Sequence, residues 1–452
     1  MTYKALLITG QESETISTLA RNLIPVGGLS LFARQMKQMF AIGVEELHVV
    51  TDWFIQDFEK EILKCSARPG KVFIHATKDA PLRLLDHNQA EDSWFLIEEA
   101  VVIDDRVIDY LAQHPSPTVV SLLGPHDFLA STTANAMPLQ IDECGCYFGS
   151  IAKLSSGTLA ANLRKLNSLD ALPAALKAIS RASDCVTVML TDIPLYIPKR
   201  RREVDLVWFP VIRREDGDKG SDMLLEATEK ATVDWPARYI HRHIENLLVK
   251  YICKTPLSSG HLTLTTAILG FFLIYLFING YMLPALFGTY IVAILAGASD
   301  KLGQIKRHIS KFTGYVPFLD RLVEYGWYFS IAGSLSTSHG AAPYVMAAAL
   351  ALFQVADHIQ SRFFLRLTRF DICDTGSFDR KFQLIAGCRN THIWALLPFA
   401  LFDQWYSGLG FICASGIITF FVHQLRVVYH LKNIMIANRD TLTDTFKKAR
   451  KI

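Results

Sequence analysis

Three carboxylates, Asp300, Asp320 and Glu324, gather with Gly303, Arg307 and Arg389 beside the longest apolar runs of this sequence. The first of them follows 38 residues, Leu262 to Ser299, that carry no formal charge. Polar side chains at the mouth of an apolar segment are costly to place, and so they mark a site. Asp320 and Glu324 are spaced i, i+4, which puts both on one side of a helix. Such a pair can hold a hard cation such as Mg²⁺, or take a proton from a hydroxyl. Gly303 would admit a nucleotide closely, and Arg307 would neutralise phosphate. Arg307, Asp320 and Glu324 would serve equally as an ion-paired cluster inside a membrane bundle.

The elements that must position these residues follow from hydropathy. The chain of 452 residues, 50% hydrophobic, has its charges spread through residues 1–260 and its long apolar runs within 261–430. A membrane span needs about 20 apolar residues. The charge-free run is broken at Asn279-Gly280-Tyr281-Met282-Leu283-Pro284, which predicts a hairpin of two helices. Further spans are predicted near 316–334, 344–359, 392–402 and 408–428, giving six. The expected outer loops, Asn279–Pro284, Leu335–Pro343 and Asp403–Gly408, contain no Lys or Arg, whereas the segments between them are rich in both. That is the positive-inside pattern for an integral protein of the cytoplasmic membrane, with the soluble domain and both termini on the cytoplasmic side. Met1–Gly10 is too short for a signal peptide. Residues 237–248 read as an interfacial amphipathic helix with Arg and His on its polar face. The domain division expected is 1–225, a juxtamembrane region 226–260 and a membrane domain 261–452.

Residues 1–225 alternate strand-like and helix-like segments. Strands are predicted at Tyr3–Gly10, Glu46–Thr51, Lys71–Ala76, Trp94–Ile97, Thr118–Leu123 and Cys185–Leu190, and a helix over Leu29–Gly43. The alternation predicts a parallel α/β sheet. The eight cysteines are scattered, with only Cys144 and Cys146 close together, and are expected to be reduced structural thiols. A net charge of +3 leaves no footprint for nucleic acid. The run Lys199-Arg200-Arg201-Arg202 reads as a headgroup contact or a solvated loop.

Residues 299–324 resemble the signature of the CDP-alcohol phosphotransferases, D-x-x-D-G-x-x-A-R followed by G-x-x-x-D-x-x-x-D. Gly303, Arg307 and Asp320 match, and Glu324 replaces the last aspartate. Ser299 and Leu302 stand where the first two aspartates belong, with Lys306 and Val316 at the alanine and the second glycine. Ahead of the first span, Arg238, Tyr239, Arg242, Thr255, Pro256 and Thr263 match the junction of fused members that carry a cytidylyltransferase-like domain. The resemblance implies an α/β nucleotidyltransferase-like (Rossmann-like) domain followed by an all-α six-helix transmembrane domain. It implies Asp320 and Glu324 as catalytic and metal-binding residues, with Asp300 as a third ligand if the helix end is rewound. It implies Gly303, Arg307, Arg389, Arg238 and Arg242 as substrate-binding, Mg²⁺ at a weakened site, membrane lipids and a CDP-alcohol as partners, and a homodimer.

The N-terminal segment Pro25–Leu31 with Ala41–Leu47 resembles the opening of sugar-phosphate and cytidylyl nucleotidyltransferases. Glu12 and Glu14 replace a glycine and an arginine of their phosphate loop, Glu98-Glu99 stands near their Gly-Asp pair, and Pro210 replaces an aspartate. Acids facing a triphosphate repel it, and proline ligates nothing, so this domain is expected to be non-catalytic. The resemblance of residues 299–324 to the CDP-alcohol phosphotransferases implies transfer of a substituted phosphoryl group from a CDP-alcohol to a second alcohol, in phospholipid or phosphodiester synthesis. The alternative is a pseudoenzyme that binds, scaffolds or regulates.

Overall fold

The computed structural model describes residues 2–9, 19–98, 100–124, 140–141, 145–165, 172–197, 200, 202–230, 233–307 and 316–436. Glu12, Glu14, Glu99, Cys144, Lys199, Arg201 and the stretch 308–315 lie outside them. The chain forms two compact units. The first comprises Met1–Leu195, Val204–Ala227 and Ile305–Arg307, and the second Tyr196–Glu203, Thr228–Gln304 and His308–Ile452.

The first unit is α/β. Its sheet has seven strands: β1 (Tyr3–Ile8), β2 (Val44–Val50), β3 (Lys71–His75), β4 (Ser93–Ile97), β5 (Val119–Leu123), β6 (Tyr147–Ser155) and β7 (Val186–Met189). The order across it is β7-β5-β6-β4-β1-β2-β3. Between the strands run α1 (Leu31–Ala41), α2 (Ile55–Lys64), α3 (Ala80–Asp86), α4 (Asp105–Gln113), α5 (Ser156–Leu163) and α6 (Leu172–Ser180), with α7 (Arg214–Ala227) last. β1 pairs parallel with β2 and β4, β2 with β3, and β5 with β7.

β6 lies outside the predicted strands, and it corrects the expectation of a parallel sheet, because it runs antiparallel to both β4 and β5. Burial on both faces removes the alternation that marks a half-exposed strand. Gly149, Ser150 and Lys153 dilute its strand composition further. The glycine is required: a Cβ at Gly149 would lie 2.5 Å from Ser121 Oγ on the neighbouring strand. Helix α1 begins because Ser30 caps it, its side chain accepting from Ala33 N–H at 3.2 Å. It ends at Gly43, whose φ of 86° is a left-handed conformation that glycine tolerates. Its buried face sets Phe32, Met36 and Met39 into the main core of the sheet.

The second unit is helical: α8 (Arg242–Ile252), α9 (Ser259–Ile278), α10 (Met282–Ile305, whose last residue groups with the first unit), α11 (Val316–His339), α12 (Ala342–Thr368), α13 (Ser377–Gln383), α14 (Arg389–Leu401) and α15 (Trp405–Ile436). The break between α9 and α10 falls at the predicted hairpin, and α8 occupies the predicted amphipathic segment, preceded by a π-turn over Ala237–His241. Among the described residues, four helices are long and apolar enough to cross a membrane: Ser259–Ile278, Met282–Ile305, Ala342–Thr368 and Trp405–Asn433. The other two expected spans differ for physical reasons. α11 carries Asp320, Arg321 and Glu324 in its first half and a Ser/Thr-rich end. α14 has 13 residues, about 20 Å at 1.5 Å per residue, against a hydrocarbon core of about 30 Å. Outward faces are apolar and exposed, as Ile268, Phe271, Phe272 and Tyr275 on α9 and Leu352, Val355, Ile359 and Phe363 on α12 illustrate. A surface of that kind matches lipid rather than water.

After α12 the chain is pinned by a buried polar knot. Asp379 accepts from Arg426 Nη2 at 2.9 Å, His430 Nε2 at 2.9 Å and Thr375 Oγ1 at 3.0 Å. Burial would raise this carboxyl, but the bonds from His430 and Arg426 outweigh it and hold the group at about 2 against an ordinary 3.8. A carboxylate held low contributes stability that is complete above the unfolded value and is lost as pH falls through the folded one. The thermal midpoint of the detergent-purified protein should therefore fall between about pH 4 and pH 2. Asp379→Asn should melt lower at pH 7 and show a flatter acid limb; an identical acid limb in wild type and variant would refute this role.

Candidate functional site

α11 carries the two carboxylates of the predicted site. Asp320 lines a narrow hollow with Thr263 and Thr266 of α9, Val292 of α10, Val323 of its own helix and Arg389 at the start of α14. A carboxylate and a guanidinium thus share one concavity. Glu324, one turn on, is engaged elsewhere. Its Oε1 accepts from Tyr328 Oη at 2.8 Å and from Gln354 Nε2 at 3.1 Å. Tyr328 Oη also lies 3.2 Å from His392 Nδ1. Gln354 Nε2 lies 3.4 Å from the same imidazole nitrogen, and His392 Nε2 has no hydrogen-bond partner. Tyr328 and His392 are fully or almost fully buried. The result is a hydrogen-bonded chain from a carboxylate to an imidazole inside an apolar bundle.

The end of α10 is packed rather than open. Leu302 is 0% exposed. Ser299 Oγ donates to Ser259 O at 2.9 Å and lies 2.9 Å from Thr263 Oγ1. A Cβ at Gly303 would stand 3.2 Å from Ser259 Oγ, so this glycine sits close against α9. Asp300 points to Lys230, 3.1 Å away, with both side chains about half exposed. Between these positions, Lys301 is buried and ion-paired with Glu229 at 3.1 Å and Glu245 at 3.0 Å. Arg242 joins the same network through Glu229 at 3.2 Å. Arg238 is exposed and lies over the Tyr239 ring, 5.7 Å from its centroid.

Arg307 belongs to the first unit, where it pairs with Asp105 at the start of α4. Its φ of 48° is left-handed, a strained conformation for a residue with a side chain. Asn390 donates to Asp234 Oδ2 at 3.0 Å. Asp357 and His358, polar residues at depth, pair with His423 and Arg321 at 2.8 Å each. In the first unit, Pro210 lies in a short strand, Trp208–Pro210, paired antiparallel with Val101–Ile103, and is buried. Among the described residues, no three carboxylate, imidazole or thiol ligands converge within the helical unit. Asp300, Asp320 and Glu324 therefore do not come together as three ligands of one ion.

Sequence reasoning missed Tyr328, Gln354 and His392. Tyr328, at i+4 from Glu324, was readable, but Gln354 and His392 arrive from other helices. It also missed a group in the first unit, Glu46, His48 and His87. Glu46 and His48 stand two apart on one strand and so share a face, the only local signal for that group.

No family model matches the chain, and no curated protein matches it. Among solved structures, HddC from Yersinia pseudotuberculosis is similar over 49% of this chain and 99% of its own, at 12% identity and a TM-score of 0.35. The inositol-1-phosphate CTP transferase from T. maritima is similar over 49% of this chain and 96% of its own, at 10% identity and a TM-score of 0.35.

Proposed function

We propose that this chain is an integral membrane protein on the CDP-alcohol phosphotransferase plan that binds a phosphodiester ligand without transferring it. It acts as a scaffolding or regulatory relative of an active enzyme, with the α/β unit and both termini on the cytoplasmic side. The observation that carries this reading is the packing at the first two signature positions. Leu302 is wholly buried, and Ser299 is committed to Ser259 and Thr263, so neither can hold a metal against a pyrophosphate. Arg389 with Asp320 keeps a charged hollow in which a phosphate oxygen would meet a guanidinium. Without a metal, charge developing on the leaving CMP has no counter-ion, a loss of several kcal/mol of transition-state stabilisation.

The second reading is residual transfer, favoured by the retained Asp320 and Glu324 pair. Full-length protein incubated with CDP-diacylglycerol, Mg²⁺ and a panel of acceptor alcohols should release no CMP above the no-protein blank. The same protein should retain labelled CDP-diacylglycerol, and Arg389→Ala should weaken that retention at least about tenfold, the scale of a lost charge-assisted bond. CMP release that Asp320→Asn abolishes would replace this proposal with active transfer.

A further inference from the structure

The edge of the α/β sheet holds a cluster that the phosphotransfer reading does not use. Glu46 and His48 lie on β2, His75 on β3, and His87 follows α3. One ligand atom from each of Glu46, His48 and His87 lies within 4.8 Å of the other two. His48 Nε2 and His87 Nδ1 are each 3.8 Å from Glu46 Oε2. Tetrahedral bonds of about 2.0–2.1 Å would set such atoms roughly 3.3 Å apart, so a modest closure completes the geometry.

Two further observations point to a ligand. His48 is 0% exposed, yet its Nε2 has no hydrogen-bond partner. An orphaned buried acceptor or donor is costly unless something outside the protein satisfies it. The other ring nitrogen explains its direction: His48 Nδ1 lies 2.9 Å from His75 Nε2. With Nδ1–H donated to His75, the Nε2 lone pair faces Glu46 and His87, the arrangement by which an outer partner orients a metal-binding imidazole. Glu46 is steadied through its other oxygen, Oε1, by Lys71 at 2.9 Å.

We propose that Glu46, His48 and His87 bind a divalent transition metal, by ligand chemistry Zn²⁺, with the fourth position left to water. His75 is the positioning residue. The His87 side chain, 33% exposed, gives the entry path. Lys4 is the built-in competitor: its Nζ lies 3.2 Å from Glu46 Oε2 and 2.8 Å from Asp92 Oδ2. When the metal takes Glu46, Lys4 keeps Asp92 and the carbonyl of His87. The ammonium beside the site opposes a dication, so affinity should be moderate.

The test uses full-length protein purified in detergent without a histidine tag and stripped with chelator. Titration with Co²⁺ should give the intense visible bands of a tetrahedral ion at one equivalent per chain, and Zn²⁺ should bleach them. His87→Ala, on the accessible ligand, should weaken Co²⁺ binding at least about tenfold and change the spectrum. His75→Phe, which removes the orienting bond but not a ligand, should weaken it with the band positions kept. Should the half-buried His75 position disturb folding, His87→Ala decides alone. Absence of stoichiometric binding, or binding indifferent to His87→Ala, would overturn the proposal.

Discussion

Replacing Lys301 by methionine should destabilise the full-length protein by about 3–5 kcal/mol, the usual result of breaking a buried ion pair from one side. Its Nζ lies between Glu229 at 3.1 Å, Glu245 at 3.0 Å and Asn246 Oδ1 at 2.7 Å. The three charged side chains are each no more than 10% exposed. Methionine keeps most of the volume, so the loss reports charge and not a cavity. Burial pushes the Glu245 carboxyl above its ordinary value of 4.5, against the pull of Lys301. Without the lysine that carboxyl rises further and is neutralised more readily. The destabilisation should therefore shrink as pH falls from about 7.5 to 5. Glu245→Leu added to Lys301→Met should recover part of the loss. The measurement is the thermal midpoint by fluorescence-detected size exclusion, and an unchanged midpoint at pH 7.5 would refute the role of the network.

Gly270→Leu should cost about 3 kcal/mol, the upper end of overpacking, because α9 and α11 meet there at backbone distance. Even a Cβ at Gly270 would lie 2.6 Å from Val323 Cγ1. Valine is stiff at χ1 in a helix and has no free rotamer into which to retreat. The same seam is closed by Trp327, whose Nε1 donates to Gly270 O at 2.9 Å. Gly326, also on this seam, faces Ile274, whose flexible Cδ1 is the atom 2.4 Å from its would-be Cβ. Gly326→Ala should therefore be milder. Val323→Ala combined with Gly270→Leu should restore much of the midpoint, since it removes the colliding methyls. Failure of that rescue would place the strain elsewhere.

The candidate site was legible where one helix defines it. Asp320 and Glu324 share a helix, so their kinship is a matter of spacing; Glu46 and His48 share a strand face, but sequence reasoning passed over them. Their other partners were not legible. Gln354 reaches Glu324 across 30 positions, His392 reaches Tyr328 across 64, and Lys230 reaches Asp300 across 70. Nothing in residues 299–302 announces that Lys301, and not Asp300, turns inward.

By itself, the sequence determined where the apolar helices of the second unit lie, though not how far α12 and α15 run past their apolar cores, and which six of the seven sheet strands exist. Length of an apolar run and period of polarity are local properties, read from neighbours in the chain. Only the tertiary structure decided that β6 inserts antiparallel between β4 and β5, that Arg307 pairs with Asp105, and that Glu324 is tied to Tyr328 and Gln354. Those choices depend on which faces bury the most apolar area together and on which buried polar atoms must then find partners. Both are sums over the whole fold, and no window of sequence contains them.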